Sequence, residues 1–493
     1  MVAKAKYLTP LRVVLAGVLA LGPSVGFCHT VGPNFTPPPL PAPATYAMAG
    51  DATPGQVRLI AETRVAGLWW RDLGSPMLDQ VMDEALANNQ TVAAADAALQ
   101  VRRAEQDRAL GETRPRVDAG ANLQRERINT ASFGFSGFPS PTINLYRIGA
   151  TVAYQLDVFG GGRRRVEAAK ARSEAQARRA DAAYLTLTGN VALQAVRIAG
   201  LRSQAQAVGA IIEDDRQLVE MVHRAQAVGG QPASASSGAI AQLAADVALA
   251  PALGRQLSEA RHALAVLVGR SPAEWTAPDF EEAGFAQPAV IPTVLPSTLV
   301  RRRPDIQAAE AALHADTAEI GVATADLYPR LNLSAALTQE ALQPGRLFNF
   351  AATAYSVGGG LTAPVLNGGA LRARRRAAEA QARVSLANYR QTVLEAFVQV
   401  SDVMSNLAND DRRLDTLKRA RAASNDAMTD ARTALRLGGG DLAQALLAER
   451  LLNHAALNLA EASGQRLSDL VMLYAATAGN WRATASGSPP PAP

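Results

Sequence analysis

Apolar and polar positions alternate strictly in two places along this chain, and each place is a pair of segments. Val117, Ala119, Ala121 and Leu123 alternate with Asp118, Gly120, Asn122 and Gln124, and a returning segment places Ile148, Ala150, Val152, Tyr154 and Leu156 at every second position. The pattern recurs later: Leu331, Leu333, Ala335 and Leu337 alternate with Asn332, Ser334, Ala336 and Thr338, followed by Tyr355, Val357, Gly359, Leu361 and Ala363. Period two predicts β-strands with one apolar and one small polar face. Elsewhere the chain is alanine-rich and helix-forming. It predicts helices over 76–112 and 304–326, very long ones over 163–228 and 370–437, and returning ones over 237–268 and 441–476. A helix of about 65 residues reaches roughly 100 Å at 1.5 Å per residue, so it must lie beside others like it rather than wrap a compact core.

The two strand pairs belong to an internal repeat. A shift of 214 residues aligns 94–116 with 308–330 without a gap, matching Leu99 to Leu313, Glu105 to Glu319, Pro115 to Pro329 and Arg116 to Arg330. Phe159-Gly160-Gly161-Gly162 then falls near Leu366-Asn367-Gly368-Gly369, and Val228-Gly229-Gly230 near Leu437-Gly438-Gly439. Two copies of one unit follow, each a helix, a strand pair and a long helical hairpin. The resulting division is a signal peptide over 1–26, an N-terminal tether and equatorial segment over 27–75, repeat 1 over 76–270, an equatorial linker over 271–303, repeat 2 over 304–478 and a Pro/Ser-rich tail over 479–493.

The signal peptide is read from Lys4, Lys6 and Arg12 ahead of an apolar run from Val13 to Leu21, closed by Gly22-Pro23. No later run reaches the ~18 consecutive apolar residues of a membrane-spanning helix, so a mature chain that enters a membrane does so as strands. Strands of this length and alternation fit a transmembrane β-barrel, and aromatic residues gather around them as they do in interfacial girdles. A half-buried sheet in a soluble domain shows the same alternation and is the competing reading. Four strands cannot close a barrel, and open edges in lipid leave backbone groups unpaired. Several copies must therefore share one barrel, eight strands from two copies or twelve from three.

Composition removes other classes. Charged residues are 19% of 493 and the net charge is +5, which suits neither a disordered acidic chain nor a nucleic-acid binder. The single cysteine, Cys28, excludes an intramolecular disulfide, and the five histidines stand at no metal-ligand spacing. Arg301-Arg302-Arg303 beside Asp305 reads as an ion-pair cluster at a helix start. Gly160-Gly161-Gly162-Arg163 lacks the Lys and Ser/Thr of a phosphate loop and reads as a strand-to-helix turn. Nothing in the chain points to an enzyme or to a cofactor.

A set of short motifs resembles a known family. Val31-Gly32-Pro33-Asn34-Phe35, Trp69-Trp70, Ala85-Leu86-Ala87-Asn88-Asn89, Leu156-Asp157-Val158-Phe159-Gly160, Leu299-Val300-Arg301-Arg302-Arg303-Pro304-Asp305-Ile306 and Tyr328-Pro329-Arg330-Leu331 stand in the order and spacing of the outer-membrane factor family, the TolC-like exit ducts, in its NodT-type efflux subgroup. The resemblance implies an α+β membrane protein: a homotrimer with a twelve-stranded transmembrane β-barrel, four strands per chain, above a long α-helical barrel. It implies an outer-membrane duct with a large periplasmic portion, passively passing small molecules from a periplasmic adaptor and an inner-membrane pump, usually of the RND type. A protein-secretion duct of the same fold and a non-conducting periplasmic coiled-coil protein are the alternatives.

Site residues are carried over in the same way. The glycine turns, with Arg224, Gly229 and Gly230 in one repeat and Arg436, Gly438 and Gly439 in the other, are expected at the adaptor-docking tips. The family carries an acidic ring residue in a run resembling Leu-Leu-Asp-Ala-Gln-Arg. Here the run is Leu446-Leu447-Ala448-Glu449-Arg450, so Leu447 stands where the aspartate would be, and Asp441 and Glu449 are the nearest acids. Leu447, Asp441 and Glu449 are therefore the candidate constriction residues, with the apolar Leu447 favoured and Asp441 read as a helix cap. The subgroup also acylates a cysteine just before its Val-Gly-Pro motif, which makes Cys28 the candidate lipid anchor. Phe27 occupies the place of the small residue that a lipoprotein signal needs, whereas Ser24-Val25-Gly26 suits ordinary cleavage after Gly26. The expectation is a mature chain beginning at Phe27 without a lipid.

Overall fold

In a computed structural model, residues 30–39, 45–46, 48–51, 57–60, 68–134, 137–286, 291–294 and 296–477 are described. The expected signal peptide, Cys28 and the C-terminal tail lie outside them. In chain order the elements are β1 (Val57–Ile60), α1 (Pro76–Asn88), α2 (Gln90–Gly111), β2 (Arg116–Arg127), β3 (Thr142–Leu156), α3 (Gly161–Ala227), α4 (Ala233–Val247) and α5 (Leu249–Val268). Then come β4 (Ile291–Val294), α6 (Pro296–Arg302), α7 (Pro304–Ala325), β5 (Arg330–Ala341), β6 (Thr353–Thr362), α8 (Ala370–Arg436) and α9 (Leu442–Thr477). The repeat is visible element by element. α2 and α7 have 22 residues each, β2 and β5 have 12, and α3 and α8 have 67.

Where the sequence predicts one helix over 76–112, the structure has two, broken at Asn89. The backbone there is extended, with φ −67° and ψ 124°. The Asn89 side chain explains the break: its Oδ1 accepts from the amides of Thr91 and Val92, and its Nδ2 donates to the carbonyl of Leu267 at 2.8 Å. That is an N-cap on α2 tied to the end of α5. The second repeat breaks at the corresponding residue, Arg303, between α6 and α7. Its guanidinium donates to the carbonyl of Ala476 near the end of α9 at 3.1 Å and holds both oxygens of Asp305 at 3.1 and 2.7 Å. The arginine cluster is thus a helix-start ion pair, as the sequence suggested. The expected helix over 237–268 is also divided, at Ala248, three residues before Pro251, which has no N–H to continue the ladder. Together α4 and α5 make one stretch, Ala233–Val268, long and apolar enough to cross a membrane by length and composition. Asp246, Arg255, Glu259 and Arg261 interrupt it, so no run of 18 apolar residues occurs.

The chain divides into two compact units. Among the described residues, one comprises 30–36, 103–134, 137–171 and Leu313–Val384. It contains a four-stranded antiparallel sheet in the order β2-β3-β5-β6, so β2 and β6 are free edges. β3 runs into α3 through Gly160, whose φ of +78° and tight approach to Thr30 leave no room for a side chain. Asp157 caps α3 by accepting from the amides of Gly162 and Arg163, at 3.0 and 2.8 Å. Asn367 does the same for the start of α8, accepting from Gly369 at 3.1 Å. The Val-Gly-Pro-Asn-Phe segment is clamped at this point. Buried Arg164 donates to the carbonyls of Val31 and Gly32 and to Asn34 Oδ1, and pairs with Glu167 at 2.7 Å. Glu167 also bonds His314, whose ring stacks on Phe35 at 4.5 Å.

The other unit takes in the described residues within 37–102, 172–312 and 385–477 and carries the hydrophobic core. Trp69 and Trp70 sit at its centre, 1% exposed each, with Leu78, Met82, Ile198, Leu264, Phe280, Leu299 and Tyr389 around them. The Trp69 indole donates to Thr188 on α3 at 3.4 Å. β1 and β4 form a small parallel pair, Val57 opposite Ile291, which the pattern of the sequence did not suggest. α3 and α9 meet closely where a Cβ added to Gly200 would stand 3.3 Å from the Cα of Gly464.

Candidate functional site

The register of the sheet puts the expected apolar positions from Val117 to Leu361 on one face, and Ala363 lies just past the end of β6. A single row reads Val117, Val152, Ala335 and Val357 across the four strands, and the next row on the opposite face reads Asp118, Thr151, Ala336 and Ser356. Every large hydrophobic residue exposed within these strands lies on the first face: Val117, Leu123, Ile148, Leu156, Tyr355, Val357 and Leu361. Soluble monomers rarely leave so large an apolar layer uncovered, because each residue would forfeit the gain of burial; such a layer marks a membrane or protein contact. On β3 the apolar face runs from Leu156 to Tyr146, about 34 Å along the strand. A barrel tilt of about 40° projects that to roughly the 25 Å apolar band of outer-membrane barrels. The opposite face is polar, with its arginines paired: Arg116 to Asp118 at 2.8 Å and Arg147 to Glu340 at 3.0 Å.

The glycine turns of the two hairpins are built alike. α3 ends with Gly229 at φ +76°, and the amide of Gly230 reaches back to the carbonyl of Ala225 at 2.8 Å. α8 ends with Gly438 at φ +76°, and the amide of Gly439 reaches the carbonyl of Ala434 at 3.1 Å. Both are Schellman stops, in which a left-handed glycine lets the last carbonyls be satisfied. Val228 and Leu437, just before each stop, are 85% and 82% exposed. Arg224 is engaged in a 2.9 Å pair with Glu220 on its own helix, and Arg436 makes no ion pair among the described residues.

Asp441 immediately precedes α9 and accepts from the amide of Ala443 at 3.2 Å, the geometry of a helix cap. Leu447 is 58% exposed, and Glu449 is ion-paired with Arg432 of α8. Glu449 belongs to a cluster that the sequence reading missed. Asn453 donates to Asp214 of α3, and Arg450 lies 3.9 Å from buried Asp246 of α4, which faces Asp215. Burial and the facing Asp246 push the Asp215 carboxyl up to about 6. Burial also raises Asp214 and Glu449, against the opposing pull of Arg432. The one signal in the sequence was Glu213-Asp214-Asp215 directly after Ile211-Ile212, acids placed where the helix turns an apolar side inward.

A lipid-facing sheet and paired helical hairpins of equal length are the features against which relatives can be weighed. The family model described as outer membrane efflux protein matches residues 81–270 and 295–479, both repeats. The chain belongs to that family. The pyoverdine export outer membrane protein OpmQ of Pseudomonas aeruginosa is 28% identical over 449 residues, 89% of this chain and 94% of that one. Nodulation protein T of Rhizobium leguminosarum bv. trifolii is 26% identical over 438 residues, 88% and 90%. The solved outer-membrane channel OprN superposes with a TM-score of 0.82 at 30% identity, covering 92% of this chain and 100% of that one. As an outer membrane efflux protein this chain is an exit duct of the Gram-negative outer membrane with a large periplasmic portion. Channels of the family form trimers and work with periplasmic adaptors and inner-membrane pumps.

Proposed function

We propose that three copies of this chain close a twelve-stranded barrel and form the outer-membrane duct of a tripartite efflux system that exports small molecules. The observation that carries this reading is the four-stranded sheet, with every exposed large apolar side chain of its strands on one face and its edges open at β2 and β6. Open edges are untenable in lipid, so neighbouring copies must pair them. The adaptor meets the hairpin tips at Arg224, Gly229, Gly230, Arg436, Gly438 and Gly439, where Val228 and Leu437 offer exposed apolar side chains. The pump behind the adaptor is of the RND type. Leu447 narrows the resting aperture, Asp441 serves the helix, and Glu449 is held by Arg432. The mature chain starts at Phe27 and Cys28 carries no lipid.

Purified protein in planar bilayers tests the duct. Heat-modifiable trimers that conduct, and a deletion strain sensitised to small toxic compounds, are expected. A monomer that forms no channel would overturn the reading. A deletion strain with unchanged susceptibility but a lost secreted protein would redirect it to protein secretion.

A further inference from the structure

Two arginines break the apolar face at its far end. Positions 117, 119, 121 and 123 of β2 lie on that face, and so do Arg125, opposite Asn144, and Arg127, opposite Thr142. Leu123 is paired with Tyr146 in the row just before them. At about 3.4 Å per residue, Arg125 stands roughly 7 Å beyond that row and Arg127 roughly 14 Å. The helices join the strands at the opposite end, at Arg116 and Leu156, so the arginines are at the end away from the periplasmic helices.

What singles them out is the missing counter-charge. On the polar face Arg116 and Arg147 each hold a carboxylate. Neither Arg125 nor Arg127 has an ion pair among the described residues, and both are exposed. Nor can an adjoining copy supply one from its own strand β6 or the connecting loops. The chain has no Asp or Glu from 127 to 156 or from 341 to 369. The acids at this end, Glu126 and Glu340, lie on the polar face, where Glu126 accepts from Gln124 and Glu340 pairs with Arg147. Arg346 in the β5–β6 connection adds a further positive charge.

We infer that Arg125 and Arg127 bind the phosphate groups of the glycolipid in the outer leaflet, whose acyl chains lie along the apolar face below them. An arginine beside a lipid chain finds no carboxylate there, and a phosphate monoester at headgroup depth matches its planar donor fork. Tyr146, paired with Leu123 on the same face, falls at the apolar–polar boundary where tyrosine rings are favoured. The lipid source is the membrane itself, since free phosphate has no reason to prefer the lipid side of the sheet. This inference rests on the assignment of the apolar face to lipid made above.

The test uses the intact trimer, delipidated in detergent and titrated with bisphosphorylated lipid A, with chemically dephosphorylated lipid A, and with inorganic phosphate. The wild-type trimer should prefer the bisphosphorylated form by about tenfold or more, and millimolar inorganic phosphate should not displace it. The Arg125→Gln/Arg127→Gln variant should lose that preference while keeping wild-type conductance and ion selectivity. The control Arg147→Gln, on the polar face, should change selectivity and leave lipid A binding alone. Equal binding of the two lipids by the wild-type trimer, a measurement needing no variant, overturns the inference. So does a double variant that keeps the preference. A double variant whose ion selectivity shifts would show instead that the arginines face the lumen, which sinks the face assignment itself.

Discussion

Arg303 donates to the carbonyl of Ala476 at 3.1 Å, and Asn89 makes the corresponding bond to Leu267 in the first repeat. Two different side chains do one job: each ends a helix break and ties it to the last turns of the returning helix. Arg303 also grips Asp305 with both oxygens and reaches Gln399, and its side chain is 13% exposed. Arg303→Ala strands these acceptors together, so a loss of about 2–3 kcal/mol is expected. Arg303→Lys should recover only part, because an ammonium lacks the bidentate fork. Thermal unfolding of the purified trimer checks both.

The faces of the sheet predict a contrast between adjacent residues. Leu333 stands opposite Tyr154 and Gly359 on the apolar face, and Ser334 opposite Ala153 and Gly358 on the other. A charge toward lipid costs about 2–4 kcal/mol near the bilayer midplane. Leu333 lies one row in from the Leu156 end of that face, where the cost is smaller than at the midplane, so Leu333→Arg should lower trimer yield and Ser334→Arg should spare it. Equal yields in membrane fractions would reverse the faces or put the strands in water.

At the aperture, Leu447→Ala should widen the resting channel and raise its single-channel conductance. Asp441→Ala should instead cost about 1 kcal/mol of helix stability through the lost cap, with conductance unchanged. A rise in conductance and a loss of cation preference in Asp441→Ala or Glu449→Ala, without a rise in Leu447→Ala, would mean that an acidic ring governs the opening.

Asp410 of α8 and Asp469 of α9 face each other, and Asp469 is 1% exposed. Burial and the neighbouring carboxyl push Asp410 up to about 7. The folded chain thus keeps a proton that the unfolded chain releases near the ordinary aspartate value. The folded state binds more protons, so this contribution is fully present below about pH 4 and is lost as pH rises to about 7. Asp410→Asn should flatten that slope: relative to wild type, its melting temperature should gain between pH 5 and pH 8. Parallel slopes for the two proteins would count against a shared proton.

The strands were legible because alternation survives the reading of a sequence one residue at a time. Val117 to Leu123 and Leu331 to Leu337 declare their faces without reference to any partner. The helix break at Asn89 was not legible, since asparagine acts there through a carbonyl more than 170 residues away; the start at Pro304 was legible, because proline disfavours helix at the residue before it, but the tie from Arg303 to Ala476 was not. The β1–β4 pair was missed for the same reason, four-residue strands joined across the whole first repeat. At the aperture, the run Leu446 to Arg450 drew attention to α9, but the carboxyl cluster depends on which sides of α3, α4 and α9 meet. Alanine-rich helices do not announce that.

α3 and α8 are both 67 residues long and stop at matching glycines. Each is a ruler, and the two must be calibrated against each other. Removing one heptad from α3 alone would shift its glycine stop by about 10 Å relative to its twin's, at 1.5 Å per residue. Removing heptads from both long helices, and from the helices returning beside them, would shorten the gauge without offsetting its ends. Length in this protein is therefore inherited in pairs: a lineage can retune how far the duct reaches only by editing both repeats in step.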